Sequence, residues 1–463
     1  MAKETKDDFE PNRCLEFVFI LSEMILIVAF VFCTSYDTDR PHPSTVNLFS
    51  DGKEIEFGQL YQIFMNIHAM VFVGFGFLMV FLRTHSWTAI GYTFLIGAYA
   101  VQITILLTAF WHYALVDAAF YIIPLDMPSL IVGDYGAATV LISFGVLLGK
   151  VSALQMFVFS TLEVIFYALN LAIVTGILQA VDLGGAMCVH TFGAYFGLAA
   201  SFFFRPRRAI ADPENRGRGG YNSQAIAMIG TFFLWIYWPS WNAGLASTSQ
   251  QQRVIMNTVL AITASVVTAC GLSRLVDHRL TMPVVLHATL AGGVSIGGAS
   301  SVVVTAPIAV AIGSVAGIIS SLGYVKLDQF FIEKVSLHDT CGIQYMHGLP
   351  GILGGLLGGL FSSLANIFFA SNEELAANFP AISADGRGRS VEEQGWIQLA
   401  ALGVTLAIAI LGGAFAGFVS SKCCMPLNFF DDKQHFLGVI YDERFSKQKQ
   451  LDRSATLRKN DSI

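Results

Sequence analysis

The sequence predicts an all-α polytopic membrane protein of about twelve transmembrane helices, arranged as two inverted five-helix repeats plus an extra N-terminal helix and a final helix outside the duplication. Three observations predict it. Only 13% of the 463 residues are charged and mean hydropathy is +0.61, against roughly 25% charged residues in soluble domains. Apolar runs of about the 20 residues needed to cross hydrocarbon recur along the whole chain. And one unusual nonapeptide pattern is written twice, "DLGGAMCVH" from Asp182 and "DTCGIQYMH" from Asp339.

The apolar runs fall near residues 14–33, 58–82, 87–110, 130–148, 153–173, 185–204, 223–238, 254–273, 282–298, 301–323, 342–368 and 396–419. Lipid satisfies no backbone polar group, so continuous apolar runs of this length cross as helices. The first run follows "MAKETKDDFEPNR", is too long for a signal peptide and has no small-residue cleavage site, so it reads as a retained helix. Residues 1–427 are expected to form the transmembrane domain and 428–463 a cytoplasmic tail, mixed in charge and poor in apolar residues.

Orientation follows from lysine and arginine. With the N-terminus inside, 22 of the 27 basic side chains lie in cytosolic segments, including the "RPRRAIADPENRGRG" loop. That asymmetry predicts both termini in the cytosol. The outer loops are acidic, with Asp37, Asp39, Asp51, Glu54, Glu56, Asp117 and Asp126 among others, a distribution that gathers cations weakly. The seven cysteines show no zinc spacing and no framework of outer pairs; adjacent Cys423 and Cys424 fit a palmitoylation site.

Topology gives the repeated nonapeptide a meaning. The sixth run enters from outside and the eleventh from inside, so Asp182 and Asp339 start helices at opposite faces. Each Asp reads as a helix-start cap. Eight residues further, at 1.5 Å per residue, His190 and His347 lie about 12 Å inward, near the middle of a ~30 Å core. Spans two to six and seven to eleven then form inverted halves with a site at their interface. A lone buried histidine is ordinarily a packed one; two at matching depth in matching halves point to function. His68 and His287 also fall within spans. Small-xxx-small glycines at Gly193 and Gly197, and from Gly351 to Gly359, let helices approach closely, which implies a narrow pore. Two imidazoles without a carboxylate or thiolate set do not make a usual metal site. No cofactor-binding, nucleic-acid-binding or enzymatic motif appears.

"DLGGAMCVHTFGAYFGL", "FGVLLGKVS", "YWPSWN", "ATLAGG" and "DTCGIQYMHGLPGILGG" resemble the ammonium transporter/Rh glycoprotein family, on its Rh side. The resemblance implies an eleven-helix inverted-repeat core, an added N-terminal helix and a homotrimer with one pore per subunit. It implies that His190 and His347 are twin pore histidines and that Asp182 and Asp339 are helix-start acids. The family's outer phenylalanine gate falls on Tyr135 and on Trp241, which precedes Asn242. The serine that helps bacterial relatives hold ammonium is Leu245 here. The acidic vestibule residue of Rh relatives is Leu171, after Asn170, unless Asp126, Asp134 or Glu163 compensates. His287 stands where an asparagine is usual.

The expected activity is passive conduction of ammonia in the plasma membrane, with ammonium recruited and deprotonated at the outer mouth. Electrogenic ammonium transport, carbon dioxide conduction and a non-conducting structural or sensory role are the alternatives. The tail offers a surface to a cytosolic partner.

Overall fold

The computed structural model describes residues 13–36, 42, 56–81, 86–204, 221–280, 282–335, 337–369, 371–382, 387–423 and 432. Twelve helical rods match the twelve apolar runs: α1 Arg13–Cys33, α2 Phe57–Leu78, α3 Ser86–Asp117, α4 Met127–Leu147, α5 Ala153–Ile177, α6 186–201, α7 Tyr221–Ala243, α8 Thr248–Asp277, α9 Met282–Gly297, α10 Ala306–Leu327, α11 344–363 and α12 Val391–Ser421. Among the described residues, eight helices are long and apolar enough to cross a membrane by themselves. The other four rods are α6, α7, α9 and α11. The chain is a multi-pass integral membrane protein. The basic loop at 205–219, the outer acids Asp37, Asp39, Asp51 and Glu54, Cys424 and the tail from 428, apart from Asp432, lie outside the described residues.

Local sequence starts the rods where expected. Asp126 caps α4 through Ser129, Ser152 caps α5 through Gln155 and Ser390 caps α12 through Glu393, each in a reciprocal capping box. Helix α4 is buried almost all round, which explains why it reads as uniformly apolar rather than amphipathic. At the other extreme α1 exposes Phe17, Ile20, Met24 and Ile25. It touches the bundle at points such as Phe19 against Phe157, with ring centroids 5.0 Å apart. A two-residue parallel pairing, β1 Thr34–Ser35 with β2 Ile123–Pro124, ties down its end.

The inverted halves show in the packing. In α6, a Cβ on Gly193 would lie 2.7 Å from the Thr139 carbonyl of α4, and one on Gly197 2.8 Å from the Ser143 Cα. In α11, a Cβ on Gly354 would lie 2.9 Å from the Ser295 carbonyl of α9. The fourth and sixth rods therefore meet as the ninth and eleventh do, through glycine. The halves also exchange one matched contact. Gly184 N–H, before α6, donates to the Gly297 carbonyl ending α9 at 3.1 Å. Cys341 N–H, before α11, donates to the Gly145 carbonyl near the end of α4 at 3.2 Å.

Candidate functional site

Both copies of the repeated sentence fold the same way. The Asp182 carboxylate accepts from the Met187 and Cys188 amides at 2.9 and 2.8 Å, and the Asp339 carboxylate accepts from the Gln344 amide at 2.7 Å. Three residues after each Asp stands a glycine with positive φ, Gly185 at 67° and Gly342 at 71°, a conformation that a side chain would strain. Each helix then opens in a wide π-type turn that carries its histidine. The acids cap as expected, but from outside the helix. Only the five residues after the glycine rise helically, so each histidine sits about 7 Å in from its helix start rather than 12 Å.

His190 and His347 meet. Their Nδ1 atoms are 3.1 Å apart and their rings lie 5.0 Å centroid to centroid at 18°. The stack continues on both sides, with Trp238 against His190 at 5.6 Å and Phe75 against His347 at 6.0 Å. A hydrogen bond between two Nδ1 atoms constrains the protons. In a neutral pair one ring carries its proton on Nδ1 and leaves Nε2 bare. The other, accepting at Nδ1, carries its proton on Nε2. Both Nε2 atoms are buried without a protein partner. The pair therefore presents one acceptor and one N–H donor.

Tyr135 and Trp241 close over this pair from the Asp182 end. Their rings meet edge to face, 4.3 Å apart at 62°. The Tyr135 hydroxyl donates to the Trp241 carbonyl at 2.7 Å, and the Trp241 indole N–H donates to the Gly184 carbonyl at 3.0 Å. The polar tips thus latch the two rings to the repeat interface. Asn242 donates to Thr258 at 2.9 Å and to the Gly293 carbonyl at 3.2 Å, which makes it a brace between α7, α8 and α9.

Beyond these rings lies a cavity of about 230 Å³ lined by Asp182, Gln179, His112, Leu171 and Leu245 among others. Asp182 Oδ1 and Gln179 Oε1 are buried acceptors without partners. The three acids considered as substitutes for Leu171 do not line it. Asp134 is paired with His68 at 3.0 Å, Asp126 is spent as the α4 cap and Glu163 accepts from Ser143. At the opposite end, Lys150 is buried and donates to the His338 carbonyl at 2.6 Å. Burial holds its amine down to about 7, against the opposing pull of Asp339.

Sequence reasoning missed Trp238 and Phe75. Trp238 was legible in principle, because it precedes Trp241 by three residues and so shares its helix face. Phe75 lies in the uniformly apolar stretch "MVFVGFGFLMVF" and carries no local signal. The His68–Asp134 pair joins two spans 66 residues apart, beyond what either helix announces.

The family model for the Ammonium Transporter Family matches residues 26–434. The ammonium transporter Rh type B of Oryctolagus cuniculus is 43% identical over 370 residues, covering 79% of this chain and 78% of its own. The Rh type C protein of Bos taurus is 35% identical, with 98% and 96% covered. Among solved structures, the Rh50 channel of Nitrosomonas europaea superposes with a TM-score of 0.71 at 28% identity, over 89% of this chain and 98% of that one. Saccharomyces cerevisiae Mep2, at 20% identity and a TM-score of 0.63, shares the fold. A doubled helix-start sentence, two histidines meeting between inverted halves and this likeness agree: the chain belongs to the ammonium transporter family, on its Rh branch, and is a transport protein rather than an enzyme.

Proposed function

We propose that the chain is a passive ammonia channel that recruits ammonium at its outer mouth, removes the proton and conducts neutral ammonia past His190 and His347. The observation that carries this reading is the 3.1 Å Nδ1 contact with both Nε2 atoms buried and unpartnered. Ammonia has three N–H donors and one lone pair, so it complements a site with one acceptor and one donor.

Magnitudes favour the neutral species. Taking a bare ion into an apolar interior costs tens of kcal/mol by ideal Born reasoning, less after relaxation. Ammonium titrates roughly two units above neutrality, so shedding its proton costs only about 3 kcal/mol. The faces of Tyr135 and Trp241 attract a cation by about 1–2 kcal/mol where it is partly desolvated. Asp182 and Gln179 add acceptors in the cavity beyond them. The protein works as a homotrimer in the plasma membrane with both termini in the cytosol. The first of these follows from the family resemblance and the last from the basic-residue asymmetry.

Stopped-flow uptake in proteoliposomes, with internal pH and membrane current followed together, tests the reading. An ammonium gradient is expected to alkalinise the lumen quickly without current. Current in proportion to ammonium would overturn the neutral mechanism in favour of charge transfer. Silence in both would overturn ammonia conduction, leaving carbon dioxide or a non-conducting role.

A further inference from the structure

His287 is fully buried on α9, in a chain whose spans otherwise carry few ionisable groups. Its position can be read along two helices. Gly293, six residues further along α9, packs against the Trp238 indole, and Trp238 is stacked on His190. Six residues of helix place His287 about 9 Å from that level. On the other side, a Cβ on Gly342 would lie 2.8 Å from the His287 Cε1, and Gly342 begins the turn that reaches His347 five residues later. His287 therefore lies on the Asp339 side of the histidine pair, beside the start of α11. It is close enough to His347 that charge on one ring would repel charge on the other.

Its neighbours hold it there. Tyr324 of α10 meets the ring edge to face at 4.4 Å, and Tyr324 in turn meets Tyr345 at 6.2 Å. The backbone at Cys341 is within hydrogen-bonding range of the ring. An ionisable side chain at this depth is costly and calls for a partner or a polar path. A neutral imidazole has one donor nitrogen and one acceptor nitrogen, so a bond at Cys341 engages only one of the two.

We propose that His287 is a third pore histidine. It lines the path between the His190–His347 pair and the end marked by Asp339, and it offers ammonia one further hydrogen-bonding nitrogen before release. This rests on the ammonia-channel reading above.

Two measurements on the full-length chain test it. In proteoliposomes, H287L keeps the bulk and removes both nitrogens. It is expected to slow ammonia-driven alkalinisation about fivefold, the scale set by losing one hydrogen bond, with H287N recovering most of the rate. Independently of conduction, H287C is expected to react with 2-aminoethyl methanethiosulfonate supplied from the Asp339 side, above the background of the parent chain. A wild-type rate in H287L, or an H287C that stays unlabelled, overturns the proposal. If the wild-type protein carries no ammonia, the channel reading fails by itself. The labelling then decides the position of His287 alone.

Discussion

His190 and His347 are brought in from helices that start at opposite ends of the bundle, yet their Nδ1 atoms lie 3.1 Å apart. Each ring thereby fixes the tautomer of the other. Replacing either with alanine removes half of the donor–acceptor pair and opens space for water. H190A and H347A are expected to alter the ammonia rate and to admit ionic current absent from wild type, measured as voltage-dependent conductance in the same liposomes. Unchanged ammonia flux with no cation leak would exclude the histidine role.

Tyr135 is latched to the Trp241 carbonyl by its hydroxyl. Y135F keeps the ring and deletes the latch, at a cost of about 1 kcal/mol in stability. A looser gate opens more often, so the ammonia rate is expected to rise. A rate equal to or below wild type would mean that the hydroxyl does not restrain the path.

Gly184 tests the crossing of the two halves. A Cβ there would lie 2.5 Å from the Gly297 Cα, a backbone contact that no side-chain rotation relieves. G184A is expected to destabilise the fold by about 1–3 kcal/mol, as overpacking does. G403A, on α12 with nothing within 4 Å of the new methyl, is the control and should melt no lower than wild type.

Asp182 accepts two backbone amides at the start of α6. D182A should cost about 1–2 kcal/mol as a lost cap, read as a lower melting temperature in detergent. D182N, which keeps an acceptor oxygen, should lose less. Equal losses would place the cost in the charge rather than in the cap.

Lys150 predicts a pH dependence. Its amine is lowered to about 7 by burial, so between that value and the ordinary lysine range the unfolded chain binds a proton that the folded chain does not. Stability therefore rises with pH through this window. Below about pH 7 both states are charged and the dependence disappears. Wild type is expected to gain thermal stability relative to K150M between pH 7 and 9.5, and parallel melting curves would show that the burial costs nothing.

How far the sequence carried the description depends on the range of each interaction. Low charge, long apolar runs and the doubled Asp-to-His sentence determined a helical membrane protein of inverted halves and singled out His190, His347, Asp182 and Asp339, because hydropathy and helix capping are local. The resemblance placed Tyr135, Trp241 and Asn242. The tertiary structure decided which atoms meet: the Nδ1 contact and its two buried, unpartnered acceptor and donor positions, the hydroxyl latch, the His68–Asp134 pair, and Trp238 and Phe75 at the ends of the stack. These are contacts between helices far apart in the chain. In a bundle where nearly every helix is apolar on all sides, no periodicity marks which face turns inward, so only the packing assigns it.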